Sequence, residues 1–377
     1  MLIYILTFSL SLFNVYMANR HYKKKGLFYF FSFFAVAPLV LLASFRASNV
    51  GSDTSFYQIP FWRDALLSHG GLIDYIERHP NFEAGYLFVN YFISLLTDNI
   101  VYLFLVIYTL IILPVYKVAM RWRKSLSPFL FMTIYCLVCY NELLSTVRQG
   151  IAMSLSLLAF NYFLERKYYK YFSLSVMAYA FHTSALIPFV FPFVYKFVDK
   201  YKLEDCRLIY MSFSALFICI LLNFDNILVF VINNNFLAEK FIEYTSKGNA
   251  FEGDLGLSNL IVKLMILAYI YFIMKLRGKS TFVDFFFLMA ILDLAFSSLG
   301  IIINHLIRLS LYPRMMTCIS LPFLFKNYPL YIRLGKIRYK LPFEFIFISL
   351  LLFYWYYVYI YGDFAATSDY KFNPEIF

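Results

Sequence analysis

Apolar runs of up to about 20 residues recur from one end of this 377-residue chain to the other, parted by short connections rich in lysine and arginine. Roughly 20 residues of helix cross the ~30 Å hydrocarbon core of a bilayer, and there such runs satisfy their own backbone as helices. The composition agrees: 62% of residues are hydrophobic, 22% aromatic and only 15% charged, against about a quarter charged in a soluble domain. The expected fold class is all-α, a polytopic membrane protein.

Apolar segments fall at 2–18, 27–45, 84–97, 100–119, 128–146, 148–164, 170–182, 184–198, 207–224, 255–274, 281–304, 309–325 and 341–361. The basic connections are Arg20 to Lys25, Lys117 to Lys124, Arg166 to Lys170, Lys196 to Arg207, Lys275 to Lys279 and Lys326 to Lys340. The positive-inside rule places all six in the cytoplasm. Two segments separate each successive pair except the first, where three intervene, so one of those three is not a full crossing. The shortest, 84–97, is read as re-entrant or shallow. About twelve spans remain, with both termini outside. The chain reads as one integral-membrane domain, 1–377, with long external loops at 46–83 and 225–254. The first loop mixes aromatic and charged residues in a way that fits short helices lying along the interface.

The net charge of +11 would suit a nucleic-acid partner, but the basic residues are distributed as orientation signals, so no nucleic acid is expected. Cys136, Cys139, Cys219 and Cys318 lie inside apolar runs and read as free, lipid-buried thiols. Met1 to Ala18 lacks a basic region ahead of it and reads as a retained first span.

With this topology Arg46, Asp53, Glu83, Arg148, His182 and Arg308 all fall at or near the external face, although they are scattered over most of the chain. Charges of both signs converging on one face from distant segments point to a cavity there. Each residue also has a plainer reading. Arg148 can snorkel to the headgroups from the start of its segment, whereas a guanidinium in a low-dielectric site holds its charge and grips phosphate oxygens with a two-pronged fork. Arg308 lies deeper among apolar neighbours, with Arg314 further along and Pro313 between them to kink the helix. His182, in a tight turn, is either a hydrogen-bonded structural histidine or a side chain suited to proton transfer. Asp53 can cap a helix after a turn at Gly51, and Glu83 can be an interfacial cap. The histidines show no HExxH spacing, and there is no phosphate-binding glycine loop, DxD pair or GxSxG elbow. No metal and no cofactor are expected.

These residues form a pattern: Arg46 with Val50-Gly51-x-Asp53-Thr54-x-x-Tyr57, Phe82-Glu83-x-Gly85-Tyr86, Arg148-Gln149-x-Ile151-Ala152, Phe181-His182-x-Ser184-Ala185 and Arg308-Leu309-Ser310. The pattern, spread over residues 40 to 315, resembles the EpsG family of Wzy-like polysaccharide polymerases. It departs at Leu311-Tyr312-Pro313, where the family pattern has no proline.

The resemblance implies a GT-C-like polymerase architecture in the bacterial cytoplasmic membrane, active on the outer face. Its substrate would be an undecaprenyl-diphosphate-linked oligosaccharide, joined to others into O-antigen or exopolysaccharide, with the bilayer and a chain-length regulator as further partners. The resemblance assigns Arg148, Arg308 and Arg46 to the diphosphate, and His182, Glu83 or Asp53 to base catalysis. Tyr57, Gln149, Ser184, Tyr312 and Arg314 are expected at the substrate. An O-antigen ligase and a flippase for the same lipid-linked sugars remain alternatives; a transporter should carry charges at mid-membrane and related halves, which are not evident.

Overall fold

The computed structural model describes residues 1–68, 70–201, 256–277, 280–302, 304–334 and 337–374. The expected external loop 225–254 lies outside the described residues. The chain divides into two compact units, one of Met1–Pro192 with Arg314–Phe377, the other of Phe193–Pro313.

In the first unit the long helices are α1 (Leu2–Arg20), α2 (Lys25–Ser44), α6 (Ile100–Arg121), α9 (Val147–Leu164) and α10 (Tyr168–Phe181). Between α2 and α6 lie a π turn (Thr54–Gln58) and three short helices, α3 (Ile59–Leu66), α4 (Gly71–Arg78) and α5 (Ala84–Ser94). At 11 residues α5 is only ~16 Å long, too short to cross. Helix α7 (Pro128–Tyr135) runs through a π turn at Cys136–Tyr140 into α8 (Asn141–Ser145). Thr146, at φ −97° and ψ 57°, turns that helix into α9. Helix α11 (Leu186–Lys200) follows α10 across a single 3-10 turn, Thr183–Ala185. After the second unit come α15 (Thr317–Asn327), the antiparallel hairpin of β1 (Tyr331–Leu334) and β2 (Ile337–Lys340), and α16 (Phe343–Trp355). That hairpin and an isolated antiparallel bridge between Arg46 and Phe372 depart from an all-helical reading.

Two ends of this unit differ in charge. At one end Arg121 pairs with Glu165 at 2.5 Å, the Arg123 guanidinium lies 3.1 Å from the Tyr22 ring centre, and Lys326 donates to the carbonyls of Arg123 and Lys124. Four of the basic connections meet there. At the other end Tyr4 donates to the Thr367 carbonyl at 2.9 Å, which places the first helix's start and the chain's tail beside the 46–54 loop.

The second unit holds α12 (Gly256–Arg277), α13 (Thr281–Ile302), a 3-10 stretch (Asn304–Ser310) and the first half of α14 (Leu311–Met315). Gly300 lets the 3-10 stretch fold back onto α13, since a Cβ there would stand 2.5 Å from the Cβ of Ile307. Lys263 and Asp293 form a buried pair across α12 and α13 at 2.6 Å, with Ser297 also bonded to the ammonium group.

Over the described residues, seven helical stretches are long and apolar enough to cross a membrane: Leu2–Arg20, Lys25–Ser44, Ile100–Lys124, Pro128–Ser145, Asn259–Leu276, Thr281–Gly300 and Phe343–Tyr361. The segment expected at 309–325 is not continuous: it is broken into the 3-10 stretch, α14 and α15. Cys136, Cys139 and Cys318 are buried free thiols, as expected; Cys219 lies outside the described residues.

Candidate functional site

Glu83 caps the start of α5 in extended conformation, and Gly85 beside it decides what the carboxylate meets. A Cβ on Gly85 would lie 2.7 Å from the Ala180 carbonyl oxygen, so only glycine lets α5 seat against the last turn of α10. That contact sets Glu83 against His182, the residue closing α10. His182 Nδ1 lies 2.8 Å from Glu83 Oε1, which also accepts from the Thr183 backbone N–H at 3.4 Å. Arg148, in the first turn of α9, donates through Nη1 to the other oxygen, Oε2. One carboxylate therefore joins three segments of the chain.

The side chains of Glu83, Arg148 and His182 are 13%, 15% and 22% exposed, enough for access yet dry enough to strengthen the charges. Burial pushes the Glu83 carboxyl up, but the His182 hydrogen bond and then the Arg148 charge outweigh it, holding it down to about 2. It is ionised near neutral pH and accepts from both partners, so Nδ1 carries the histidine's proton and Nε2 faces away from Glu83.

The Arg148 guanidinium is sandwiched by aromatic faces, 4.3 Å from the Phe82 ring centre and 5.0 Å from that of Tyr57. Tyr57 donates to Asp53 Oδ2 at 2.6 Å, and burial together with that carboxylate pushes its phenol well above the ordinary value. Arg148 Nε is buried with no hydrogen-bond acceptor among the described residues. Asp53, Tyr57, Glu83, Arg148 and His182 thus form one contiguous cluster. Gln149 is buried one residue along α9, and Ser184 stands half-buried in the turn after His182.

Two of the arginines expected at the substrate are deeply buried among internal partners. Arg46 is 1% exposed. It donates to the carbonyls of Ala43, Val50 and Leu144, to Thr54 Oγ1 and to Gln58 Oε1, and lies over the rings of Phe104 and Tyr108. With so many acceptors it organises the 46–58 loop. Arg314, 2% exposed, pairs with Glu142 Oε2 at 2.5 Å, and Tyr359 donates to the same oxygen at 3.2 Å. It is a buried ion paired inside the first unit. Glu142 went unread in the sequence, although a single acid inside the apolar run 128–146 is itself a signal. Arg308 and Tyr312 belong to the second unit, the first half-buried on the 3-10 stretch, the second buried in α14.

A predominantly helical, polytopic membrane protein with an arginine, a glutamate and a histidine joined at one end of its first unit is the class these observations define. The chain belongs to the EpsG family, whose model matches residues 27–372. Membership supports a polysaccharide polymerase-like role. No curated protein and no solved structure matches the chain significantly.

Proposed function

We propose that the chain is a metal-independent polymerase that joins undecaprenyl-diphosphate-linked oligosaccharide repeat units at the external face of the bacterial cytoplasmic membrane, into O-antigen or exopolysaccharide. The observation that carries this reading is the Glu83 carboxylate, with Arg148 on one oxygen and His182 on the other. An anion site and a base are thereby set side by side, which is what transfer from a diphosphate requires.

In the reaction the acceptor sugar hydroxyl attacks the anomeric carbon of the growing glycan, and His182 Nε2 takes the hydroxyl proton. The bond from that carbon to the diphosphate oxygen breaks, and undecaprenyl diphosphate leaves with the electron pair. Glu83 is the orienting carboxylate and not the base, because a carboxylate held down to about 2 is a weak base and its two oxygens are taken by Arg148 and by His182, whose tautomer it fixes. Arg148 holds the charge growing on the diphosphate, and its unpartnered Nε is a donor that burial makes costly unless something accepts from it. Arg308 is the other arginine assigned to the diphosphate. Asp53 keeps Tyr57 under Arg148. On the same reading the fold is a GT-C-like one of about twelve spans with both termini outside.

Purified protein given a lipid-linked repeat unit in EDTA should build a ladder of chain lengths. Arg148→Ala or Arg308→Ala should leave membrane insertion intact and lower extension by at least ~100-fold, and cells should then display a core bearing a single unit. Lysine at either position should recover only part of the activity, since it lacks the fork. A normal ladder from the Arg148→Ala, Arg308→Ala double variant would refute the phosphate assignment.

A further inference from the structure

Residues 363–373, the tail beyond Gly362, are tied to the rest of the first unit by a dense set of hydrogen bonds. Asp363, Ala365 and Ala366 take φ values of 47°, 71° and 50°, a left-handed region that non-glycine residues hold only where surrounding contacts dictate it. Those contacts run to the loop that carries Asp53 and Tyr57. The Gly51 N–H donates to the Ala366 carbonyl at 2.9 Å, the Ala47 N–H to the Lys371 carbonyl at 2.8 Å, and the Asn373 N–H to the Phe45 carbonyl at 2.9 Å. Arg46 and Phe372 pair as an isolated antiparallel bridge.

The same tail is tied to the helices beneath. Ser145 Oγ, at the end of α8, accepts from the Ser52 N–H at 3.0 Å and donates to the Ala365 carbonyl at 2.7 Å, joining loop, helix and tail through one hydroxyl. Asn141 Nδ2 donates to Thr367 Oγ1 at 3.0 Å while its side-chain Oδ1 accepts from the Trp355 indole N–H. Tyr4 and Tyr370 donate to the carbonyls of Thr367 and Leu42. Thr367 is fully buried, and the family match runs on through residue 372, so it includes this segment. Gly51 shows how tight the seat is: at φ +85° a Cβ would stand 2.4 Å from the Leu144 carbonyl oxygen.

We propose that residues 363–373 are a positioning strap for the reaction centre. The strap clamps the 46–54 loop onto the ends of α2 and α8, and through that loop holds Asp53, and hence the Tyr57 ring, under the Arg148 guanidinium. The proposal rests on the functional reading above for its consequence in catalysis, but the clamping itself does not.

Two variants test it, a chain ending at Gly362 and Thr367→Val, which keeps shape but removes the acceptor for Asn141. Each is to be measured for chain extension in membranes and, with Val50→Cys added, for modification by a membrane-impermeant maleimide above the parent's background. Val50 is fully buried and precedes Gly51, whose N–H bonds to the tail. Both variants should lower kcat by roughly 10- to 100-fold with KM for the lipid-linked unit little changed, and Val50→Cys should react only where the tail is lost or loosened. Thr367→Ser should behave as the parent in both measurements. Protection of Val50→Cys in the truncated chain, or unchanged kcat despite lost protection, overturns the proposal. If the parent itself extends no chains, that failure belongs to the polymerase reading, and the labelling still decides whether the tail clamps the loop.

Discussion

Arg46 and Arg148 look alike as residues, each a guanidinium at the edge of an apolar segment, and their surroundings make them opposites. Arg46 is enclosed by backbone carbonyls and two polar side chains, so it holds a loop. Arg148 meets one carboxylate and two aromatic faces, so it keeps a charge available at the cluster. Glu83 links that charge to His182, and its depressed pKa carries a sign. A carboxyl lowered from 4.5 to about 2 contributes stability that is fully present above pH 4.5 and is lost as the pH falls through about 2. Glu83→Gln should therefore melt below the parent in detergent near neutral pH, and the gap should narrow as the pH drops below 4.5, followed by thermal unfolding fluorescence. Its chain extension should fall by ~10²- to 10⁴-fold, because the amide can no longer set the imidazole's tautomer. An unchanged rate would remove Glu83 from the orienting role.

At the scale of elements, close backbone approach matters more than propensity. The contact of α5 with α10 depends on Gly85, whose missing side chain admits the Ala180 carbonyl. Backbone cannot yield as the end of a flexible side chain can, so Gly85→Ala should push α5 away and part Glu83 from His182. Extension should drop by about 100-fold with insertion retained, measured beside the protein's elution profile; a full-rate variant would mean that the contact is not needed. The sequence showed Phe82-Glu83-x-Gly85-Tyr86 as a motif without showing why its glycine is there. It also marked the apolar runs and the turn between 128–146 and 148–164, which falls at Thr146, while missing the breakup of 309–325 into a 3-10 stretch and two helices. An apolar run reports the solvent around a segment, whereas a break is decided by the neighbours that satisfy the freed backbone groups.

On the scale of the first unit, charge divides its ends. The basic connections gather at one, and the Arg148 cluster, the start of α1 and the tail at the other. Cysteines introduced at exposed Lys23 and Asn49, one at each end, should respond oppositely to an impermeant reagent applied to intact cells. Asn49→Cys should react and Lys23→Cys should not; labelling of both or of Lys23→Cys alone would overturn the assigned orientation. Sequence by itself determined that the chain is helical and membrane-embedded, and which charged residues to watch, because hydrophobicity and charge bias act locally along the chain. Tertiary structure alone decided that Glu83 joins Arg148 to His182, that Arg46 and Arg314 are bound into the framework, and that the tail reaches back to the first loop. Those are contacts between segments up to several hundred residues apart, where burial and hydrogen-bond satisfaction assign a side chain its role, and neither can be read along a chain.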